Sequence, residues 1–283
     1  MMLNNSLISG FADEIDSSLD VQIEVLRVLG QDHIDFRGAD GLVCSQYTLE
    51  QARAVGERLD AAGIRVSCLG SPVGKIQIAD AFEPHYSMYK HVVEVAKILG
   101  TKYIRMFSFR MPAGEDPWQY EDEVCARLEQ MIQYAEDNDV VLLHENEKNI
   151  FGDNMERCLK LMERFYGDSF KFIFDFANFV QCKQDTWEAY EKLKPYIAYL
   201  HIKDADWESG KVVVPGTGDG QLLKILGAMD EAGYEGYVSL EPHLSEHARL
   251  MPVGEDARFD AMSDRAVNYA VAHRALSEML GEV

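Results

Sequence analysis

Short apolar segments alternate with longer amphipathic segments along nearly the whole chain. Eight of the apolar segments have the length of a β-strand and are rich in β-branched or aromatic residues. They cover residues 7–12, 34–38, 65–70, 103–108, 140–145, 172–177, 198–203 and 237–241. The pattern predicts eight strands, each separated from the next by a segment with the spacing of a helix.

The amphipathic segments carry apolar residues at helical spacing, and several of them end in a glycine, which commonly terminates a helix. Clear examples begin at Leu19, Thr48, Ser87 and Glu121, and the last predicted helix begins at Arg258. Strands that alternate with helices predict an α/β protein, built as a single (β/α)8 TIM barrel. An open doubly wound sheet would often carry a glycine-rich phosphate turn after its first strand, whereas here that turn reads FADEID.

Length and composition agree with a barrel. The chain has 283 residues, of which 47% are hydrophobic, and no linker, repeat array or low-complexity tract interrupts the pattern. We therefore expect one domain over residues 1–283, with the active site at the C-terminal ends of the strands.

Charge and cysteine content exclude several classes of protein. Lys and Arg number 27 and Asp and Glu number 48, so the formal net charge is −21, a field that repels nucleic acid and anionic membranes. The five cysteines are scattered without a CxxC pair, which argues against disulfides or a cysteine zinc site and favours the cytoplasm. We expect no signal peptide and no membrane span, because the basic and long apolar segments they need are missing.

Candidate chemistry lies where four neighbouring strands end, at Glu145, Asp175, His201 and Glu241. Three carboxylates and one imidazole suit Mn²⁺, Mg²⁺, Co²⁺ or Zn²⁺. Taken singly, Asp175 could cap the next helix and His201 could be a hydrogen-bonded core histidine. Glu145 and Glu241 lie inside apolar runs, where an unpaired carboxylate is costly. We expect the four residues to bind one divalent metal ion beside a sugar-like substrate, which is either neutral or an anion held by a local basic pocket.

Over nearly its whole length the chain resembles the xylose-isomerase-like sugar phosphate isomerase/epimerase family. The motifs that carry the resemblance are Glu145-Asn146, the segment around Asp175, His201-Ile202-Lys203-Asp204, Pro215-Gly216-Thr217-Gly218-Asp219-Gly220 and Leu240-Glu241. It implies that Glu145, Asp175, His201 and Glu241 hold the metal, with Mn²⁺ as the expected ion. It also implies that Glu145 and Glu241 are the catalytic acid–base pair, which exchanges a proton beside a carbonyl while the metal stabilises the enediolate.

Two departures from the family pattern bear on the substrate. Many relatives carry a histidine three residues after the strand-six aspartate, where this chain has Asn178. Ketohexose epimerases and inosose dehydratases carry an arginine shortly after the His-x-Lys-Asp motif, where this chain continues with Ala205, Asp206, Trp207 and Glu208. These departures argue against a simple ketohexose and leave the metal set untouched.

Seven further residues are candidates for substrate binding. They are Lys203, His243, Glu147, Asn178, Arg105, Lys75 and Trp207. Lys203 could instead pair with Glu241 or Asp175, and Lys75 could be a solvent lysine on its Pro/Gly-shaped loop. His243 and Glu147 lie two residues beyond Glu241 and Glu145, on the same side of their strands, and could support the metal ligands instead.

Four other residues carry weaker expectations. Arg37, like Arg105, would bind substrate if it faces inward and form salt bridges if it faces outward. Trp118, like Trp207, could wall the pocket or simply be packed. His144 should point away from the barrel axis if Glu145 points inward. Asp219 is a possible cap for the helix predicted over residues 222–232.

The function that these residues favour is that of a metal-dependent isomerase or epimerase acting on a small sugar-like molecule. The nearest alternative is a lyase or dehydratase that uses the same metal site on a keto-sugar, keto-inositol or keto-glycoside. A DNA-repair endonuclease is disfavoured by the charge of −21, and a non-catalytic sugar-binding protein by the intact Glu145 and Glu241. By analogy with the family we expect a homodimer or tetramer.

Overall fold

The computed structural model describes residues 2–3, 6–244 and 262–281. Its main sheet contains eight strands, which are β1 (Leu7–Gly10), β2 (His33–Phe36), β5 (Arg65–Val73), β6 (Tyr103–Met106), β7 (Val141–Glu145), β8 (Phe170–Asp175), β9 (Ile197–Ile202) and β12 (Tyr237–Leu240). They lie in the order β1-β12-β9-β8-β7-β6-β5-β2, and every adjacent pair is parallel. A parallel bridge between Phe11 and Asp35 joins the two ends of this order, so the sheet is a nearly closed barrel.

Helices occupy the connections between these strands, which confirms the predicted (β/α)8 barrel. They are α1 (Leu19–Leu29), α2 (Leu49–Ala62), α3 (Phe82–Ile98), α4 (Glu121–Glu136), α5 (Met155–Phe165), α6 (Phe176–Gln181), α7 (Thr186–Leu193), α8 (Leu222–Glu231) and α9 (Asp264–Leu280). Helix α2 begins with a capping box formed by Thr48 and Gln51, and α1 and α2 end at Gly30 and Gly63. Two short antiparallel hairpins lie outside the barrel sheet: β3 (Gly38–Ala39) with β4 (Leu42–Val43), and β10 (Asp204–Ala205) with β11 (Val212–Val213).

The helix boundaries differ from the sequence prediction in two places. Helix α3 begins at Phe82 rather than Ser87, because its only proline, Pro84, falls in the first turn, where a missing N–H costs little. Of the helix predicted from Arg258, residues 258–261 lie outside the described residues. In the part that is described, α9 begins only at Asp264, because the Ser263 hydroxyl caps it by accepting the Ala266 N–H at 3.3 Å.

The predicted cap at Asp219 was wrong. Helix α8 begins after Gln221, which has a φ of 55° and makes no side-chain cap hydrogen bond. The Asp219 carboxylate instead accepts the backbone N–H of Trp207 at 2.6 Å. Asp219 therefore fastens the preceding loop and leaves the helix uncapped.

The alternation of side chains along each strand decides what enters the barrel. In β7, Val141 and Leu143 belong to the small cluster that fills the barrel interior, while Leu142 packs into the large cluster between sheet and helices. Glu145 continues the inward series. His144 lies on the outer face, where its ring packs on Phe172 with centroids 6.0 Å apart. Among the helices of the described ranges, none has both the length and the apolar character to cross a bilayer.

Candidate active site

Four buried side chains converge at the C-terminal end of the barrel. Glu145 and Asp175 are the last residues of β7 and β8, His201 lies near the end of β9, and Glu241 directly follows β12. Asp175 and His201 are register partners, and the Glu241 N–H donates to the carbonyl of Ile202 at 3.1 Å. One ligand atom from each of the four lies within 4.8 Å of the others, so the group could hold a metal ion.

The donor atoms fit a divalent cation. His201 Nδ1 faces the carboxylates, 3.1 Å from Glu145 Oε1 and 3.9 Å from Glu241 Oε2, and makes no hydrogen bond within the described residues. Asp175 Oδ2 is equally without a hydrogen bond there, although it lies 2.8 Å from Lys203 Nζ as an ion pair. Because buried polar atoms are seldom left unsatisfied, these two atoms support the group as a ligand set.

Two buried cations lie among the carboxylates. Arg105 Nη1 donates to Glu145 Oε2 at 3.2 Å and to Glu241 Oε1 at 3.3 Å. Lys203 Nζ contacts Asp175 Oδ2 and Glu241 Oε2, each at 2.8 Å. Lys203 thus makes both ion pairs that the sequence allowed as its alternative role, and it makes them at the centre of the site. Three negative and two positive charges leave the cluster close to neutral before the imidazole is counted.

Burial disfavours every charged form in this cluster, and neighbouring charges decide the outcome. Burial raises the pKa of Asp175 to about 7, because Lys203 offsets only part of the lost hydration. At Glu145 the effect of burial is outweighed by His201 and Arg105, which lower the pKa to about 2. At His201 the effect of burial is outweighed by Glu145, and the pKa rises to about 10. A divalent cation would therefore compete with existing ion pairs for the same oxygens.

Two asparagines hold Asp175 in place. The Asn146 side chain accepts the Asp175 N–H and donates to the Asp175 carbonyl, both at 2.9 Å. Asn178 donates its backbone N–H to Asp175 Oδ1 at 2.8 Å, so Asp175 caps α6 as well as facing the cluster. The Asn178 side chain donates to the Asn146 carbonyl at 2.9 Å and to Glu145 Oε1 at 3.3 Å. Asn178 thus orients both Asp175 and Glu145.

Asp35 lies on the inner side of His201, deeper in the barrel. Its Oδ2 is 3.3 Å from His201 Nε2, on the opposite side of the ring from the carboxylate cluster. Its Oδ1 accepts hydrogen bonds from the hydroxyls of Ser9, Ser67 and Tyr199. Because this carboxylate lies beside Nε2, Nδ1 is the ring nitrogen that faces the cluster.

His243, Arg37 and Glu14 form the β12 side of the site. His243 is held at a φ of 44°, and its ring lies 2.8 Å from Glu14 Oε1 and 3.5 Å from Glu241 Oε1. Arg37 faces inward and contacts Glu241 Oε1 and Glu14 Oε1, each at 3.4 Å, and it also pairs with Asp13 at 2.7 Å. Arg37 therefore combines the two expected alternatives, because it faces inward beside Glu241 and also forms salt bridges.

Lys75 and Glu147 form the opposite side. Lys75 Nζ lies 3.3 Å from Glu147 Oε2 and 4.1 Å from the centre of the Phe107 ring. Burial and the nearby Arg105 lower the pKa of Lys75. Lys75 is half-buried, so it is not the freely solvated lysine that its loop position also allowed.

The two tryptophans lie apart from the four converging residues. Trp207 packs on the small cluster of Ala177, Val180 and Ala205. Trp118 packs edge-on against Phe151, with ring centroids 5.7 Å apart. In the part of the chain that the structure describes, neither tryptophan lines either of the two cavities beside the site.

The glycine-rich loop that comes after β11 surrounds Asp204. The backbone N–H groups of Gly216, Gly218 and Gly220, together with that of Ala205, donate to the Asp204 carboxylate at 2.8–2.9 Å. Asp204 therefore uses its oxygens to fold this loop, which accounts for the motif without a bound ligand.

Sequence reasoning missed Asp35 and Glu14. Asp35 carried a signal, because it is a carboxylate inside the apolar strand β2, the argument that selected Glu145 and Glu241. Glu14 carried none, since it lies in a polar turn after β1 and becomes part of the site only through barrel closure.

A sequence model described as xylose isomerase-like TIM barrel matches residues 23–260. The chain belongs to this family. No curated protein matches the sequence. The solved IOLI protein with a bound zinc atom shares 18% identity at a TM-score of 0.73, over 98% of each chain.

Two solved enzymes have similar folds. The probable 3-DHS dehydratase AsbF of Bacillus anthracis, involved in petrobactin synthesis, shares 15% identity at a TM-score of 0.71, over 96% of this chain and 98% of that one. The 3-keto-D-glucoside 4-epimerase YcjR of E. coli shares 15% identity at a TM-score of 0.66, over 97% of this chain and 98% of that one. At these identities the likeness is one of fold.

Proposed function

We propose that this family member is a divalent-metal-dependent sugar isomerase or epimerase, which moves a proton on the carbon beside a carbonyl through an enediolate. The observation that carries the proposal is the convergence of Glu145 and Glu241. They come from strands separated by β8 and β9, yet a single nitrogen, Arg105 Nη1, lies 3.2 Å from one carboxylate and 3.3 Å from the other. Two carboxylates this close together can both reach one substrate carbon.

Glu145, Asp175, His201 and Glu241 would hold the metal, which supplies Lewis-acid polarisation of the substrate carbonyl. The chemistry of three carboxylates and one imidazole favours Mn²⁺, with Zn²⁺, Co²⁺ and Mg²⁺ as alternatives. The zinc atom bound in the IOLI structure, which has a similar fold, supports metal binding by this protein.

Glu145 and Glu241 would exchange the proton. Glu145, ionised, removes the proton from the carbon, and return of that proton to the neighbouring carbon would isomerise the substrate. For inversion of the centre, Glu241 would pass a proton to the opposite face, taken from Lys203 Nζ, which lies 2.8 Å from Glu241 Oε2. Low pKa values keep both groups ionised at neutral pH, since the pKa of Glu145 is about 2 and that of Glu241 is well below its usual range. Burial excludes water that would otherwise quench the carbanion.

Arg105 and Lys203 would orient the two carboxylates. Lys203 bridges Glu241 and Asp175, and Arg105 spans Glu145 and Glu241. Both cations are buried, at 4% exposure each, so their charges act at low dielectric. They also supply hydrogen-bond donors for substrate hydroxyl groups.

The first test is metal content. Wild type, Glu145→Gln, His201→Ala and the exposed control Glu163→Gln are incubated with Mn²⁺, dialysed and measured by elemental analysis. We expect about one ion per chain in wild type and Glu163→Gln, and a large loss in the other two. Wild-type protein that retains no metal after this treatment would contradict the proposal.

The second test is exchange of the α-proton. Keto-sugars are incubated with metal-loaded protein in D₂O and followed by NMR, and Glu145→Gln should slow deuterium incorporation by about 100-fold or more. A product epimer or isomer supports the proposed reaction. An unsaturated product or a released fragment would show instead that the same residues catalyse an elimination, as a dehydratase does.

A further inference from the structure

A cavity lies near the four-residue cluster, between the loops that come after β5, β6 and β7. Its volume is about 430 Å³, within the range of small-molecule sites. It is lined by Lys75, Gln77, Arg110, Met111, Glu147, Lys148, Asn149 and Ile150. We name this space the anion cavity, for the charge of its lining.

The lining of the anion cavity is positive, although the protein is strongly negative. Lys75, Arg110 and Lys148 face only one carboxylate, that of Glu147, so the lining carries a formal charge of 3 − 1 = +2. The chain as a whole carries −21. In so acidic a molecule, cations gathered around a concave space favour an anionic ligand there.

The cations of the anion cavity are not all engaged in internal ion pairs. Glu147 pairs with Lys75 at 3.3 Å. Among the residues that the structure describes, Lys148 Nζ contacts a neutral partner alone, the Gln181 Oε1 atom, at 2.5 Å. Arg110 makes no side-chain hydrogen bond or ion pair in the part of the chain that the structure describes. Two of the three charges are therefore available to a ligand.

Backbone contacts hold the segments that carry Lys75 and Arg110 in place. The Ile78 N–H donates to the Arg110 carbonyl at 2.9 Å, and a bridge joins Arg110 to Ile150. Gly74 starts the Lys75 loop at a φ of 85°, and a Cβ there would lie 1.8 Å from the Phe107 carbonyl oxygen. The walls of the anion cavity are thus preformed, which lowers the entropic cost of binding.

The anion cavity and the carboxylate cluster lie close together, with one aromatic ring between a cation of each. Lys75 Nζ lies 4.1 Å from the centre of the Phe107 ring, and the Arg105 guanidinium lies 5.1 Å from the same centre. Arg105 in turn contacts Glu145 and Glu241. One sugar-sized molecule could place its reacting carbon between the carboxylates and its far end in the cavity.

From this arrangement we infer that the substrate carries an oxyanion, either a carboxylate or a phosphate, which binds Arg110 and Lys148 in the anion cavity. Arginine and lysine donors bind both groups through charge-assisted hydrogen bonds. The inference rests on the proposed function, because it names the substrate class of that same site. It selects the anionic substrate from the two possibilities, neutral or anionic, that the sequence left open.

The test measures anion binding directly. Inorganic phosphate and, separately, acetate are titrated by calorimetry into metal-loaded wild type and Arg110→Gln/Lys148→Gln. The control Lys97→Gln/Lys192→Gln removes the same charge from the last turns of α3 and α7, at the opposite end of the barrel. We expect the cavity variant to bind the preferred anion about 10- to 100-fold more weakly, with the control unchanged.

The two probes identify the oxyanion. Tighter binding of phosphate assigns a phosphorylated substrate, and tighter binding of acetate assigns a carboxylate. Equal binding to wild type and the cavity variant would overturn the inference, because the anion would then bind outside the cavity, for example to the metal ion. Absence of binding to wild type would overturn it as well.

Metal content separates this inference from the proposed function. Arg110→Gln/Lys148→Gln should keep the wild-type metal content, since neither residue contacts the four-residue cluster. If metal and α-proton exchange are present but anion binding fails, only the inference falls. If wild type binds no metal, the proposed function falls, and the titration with phosphate or acetate still decides the role of the cavity.

Discussion

Two buried aspartates at the same end of the barrel differ sharply in what surrounds their carboxylates. Asp204 accepts four backbone N–H groups, three of them from the glycine-rich loop. Asp175 accepts one backbone N–H on Oδ1, while its Oδ2 faces Lys203 without hydrogen-bond geometry. Both are wholly buried. A saturated carboxylate, whose two oxygens both accept hydrogen bonds, organises the chain around it. An unsaturated carboxylate, which has an oxygen without a hydrogen bond, is available to a ligand when it lies among other carboxylates.

The same comparison shows that two neighbouring residues of one motif can have different roles. Lys203 and Asp204 are neighbours in one family motif, yet Lys203 enters the cluster and Asp204 turns to the loop. Alternation along the chain sends them to different sides. Membership of a motif therefore does not by itself assign a chemical role.

The largest effect should come from the unsaturated aspartate. Asp175→Asn removes one charged ligand and should weaken Mn²⁺ binding by at least about 100-fold, roughly 3 kcal/mol. The asparagine oxygen can still cap α6, so the fold should persist, as circular dichroism would report. Calorimetric titration measures the affinity, and unchanged Mn²⁺ binding would remove Asp175 from the ligand set.

The matched change in the saturated aspartate should act on stability instead. Asp204→Asn sets an NH₂ group against backbone N–H donors and should destabilise the protein by about 2–3 kcal/mol. Thermal unfolding should shift downward by roughly 5–10 °C for a chain of this size. Its Mn²⁺ affinity should stay within about twofold of wild type. Loss of metal without loss of stability would reverse the two roles.

Asp35 tests how far the ligand set extends into the barrel. Asp35→Asn keeps the size of the side chain but removes the charge beside His201 Nε2, so we expect Mn²⁺ affinity to fall about tenfold. The control Asp185→Asn alters an exposed cap of α7 and should leave the affinity unchanged. An unaltered affinity in Asp35→Asn would confine the site to the four converging residues.

The smallest effect concerns His85, another buried group that accepts a backbone N–H, that of Gly74 at 2.7 Å. Burial, assisted by Arg127, lowers its pKa to about 4. Between pH 6.5 and 4 an unfolded histidine takes up a proton that native His85 refuses, so stability falls as the pH falls.

His85→Gln keeps an acceptor and cannot titrate. From about pH 7 to about pH 5, wild type should therefore lose about 2–4 °C more in melting temperature than His85→Gln, after allowance for partial solvent screening. If the melting temperatures of the two proteins change by the same amount across this pH range, His85 does not contribute to the pH dependence of stability.

The sequence determined the barrel and the four converging residues because both depend on local order. The spacing of apolar residues along the chain distinguishes strands from helices. Because the C-terminal ends of parallel strands share one edge, the side chains that end four neighbouring strands meet there: Glu145, Asp175, His201 and Glu241. Tertiary structure alone decided the partners of the other charges. Arg105 reaches Glu241 across 136 positions of the chain, and Asp35 reaches His201 from a strand at the far end of the sheet order. Such pairs depend on barrel closure and strand register, which local patterns of hydrophobicity do not encode.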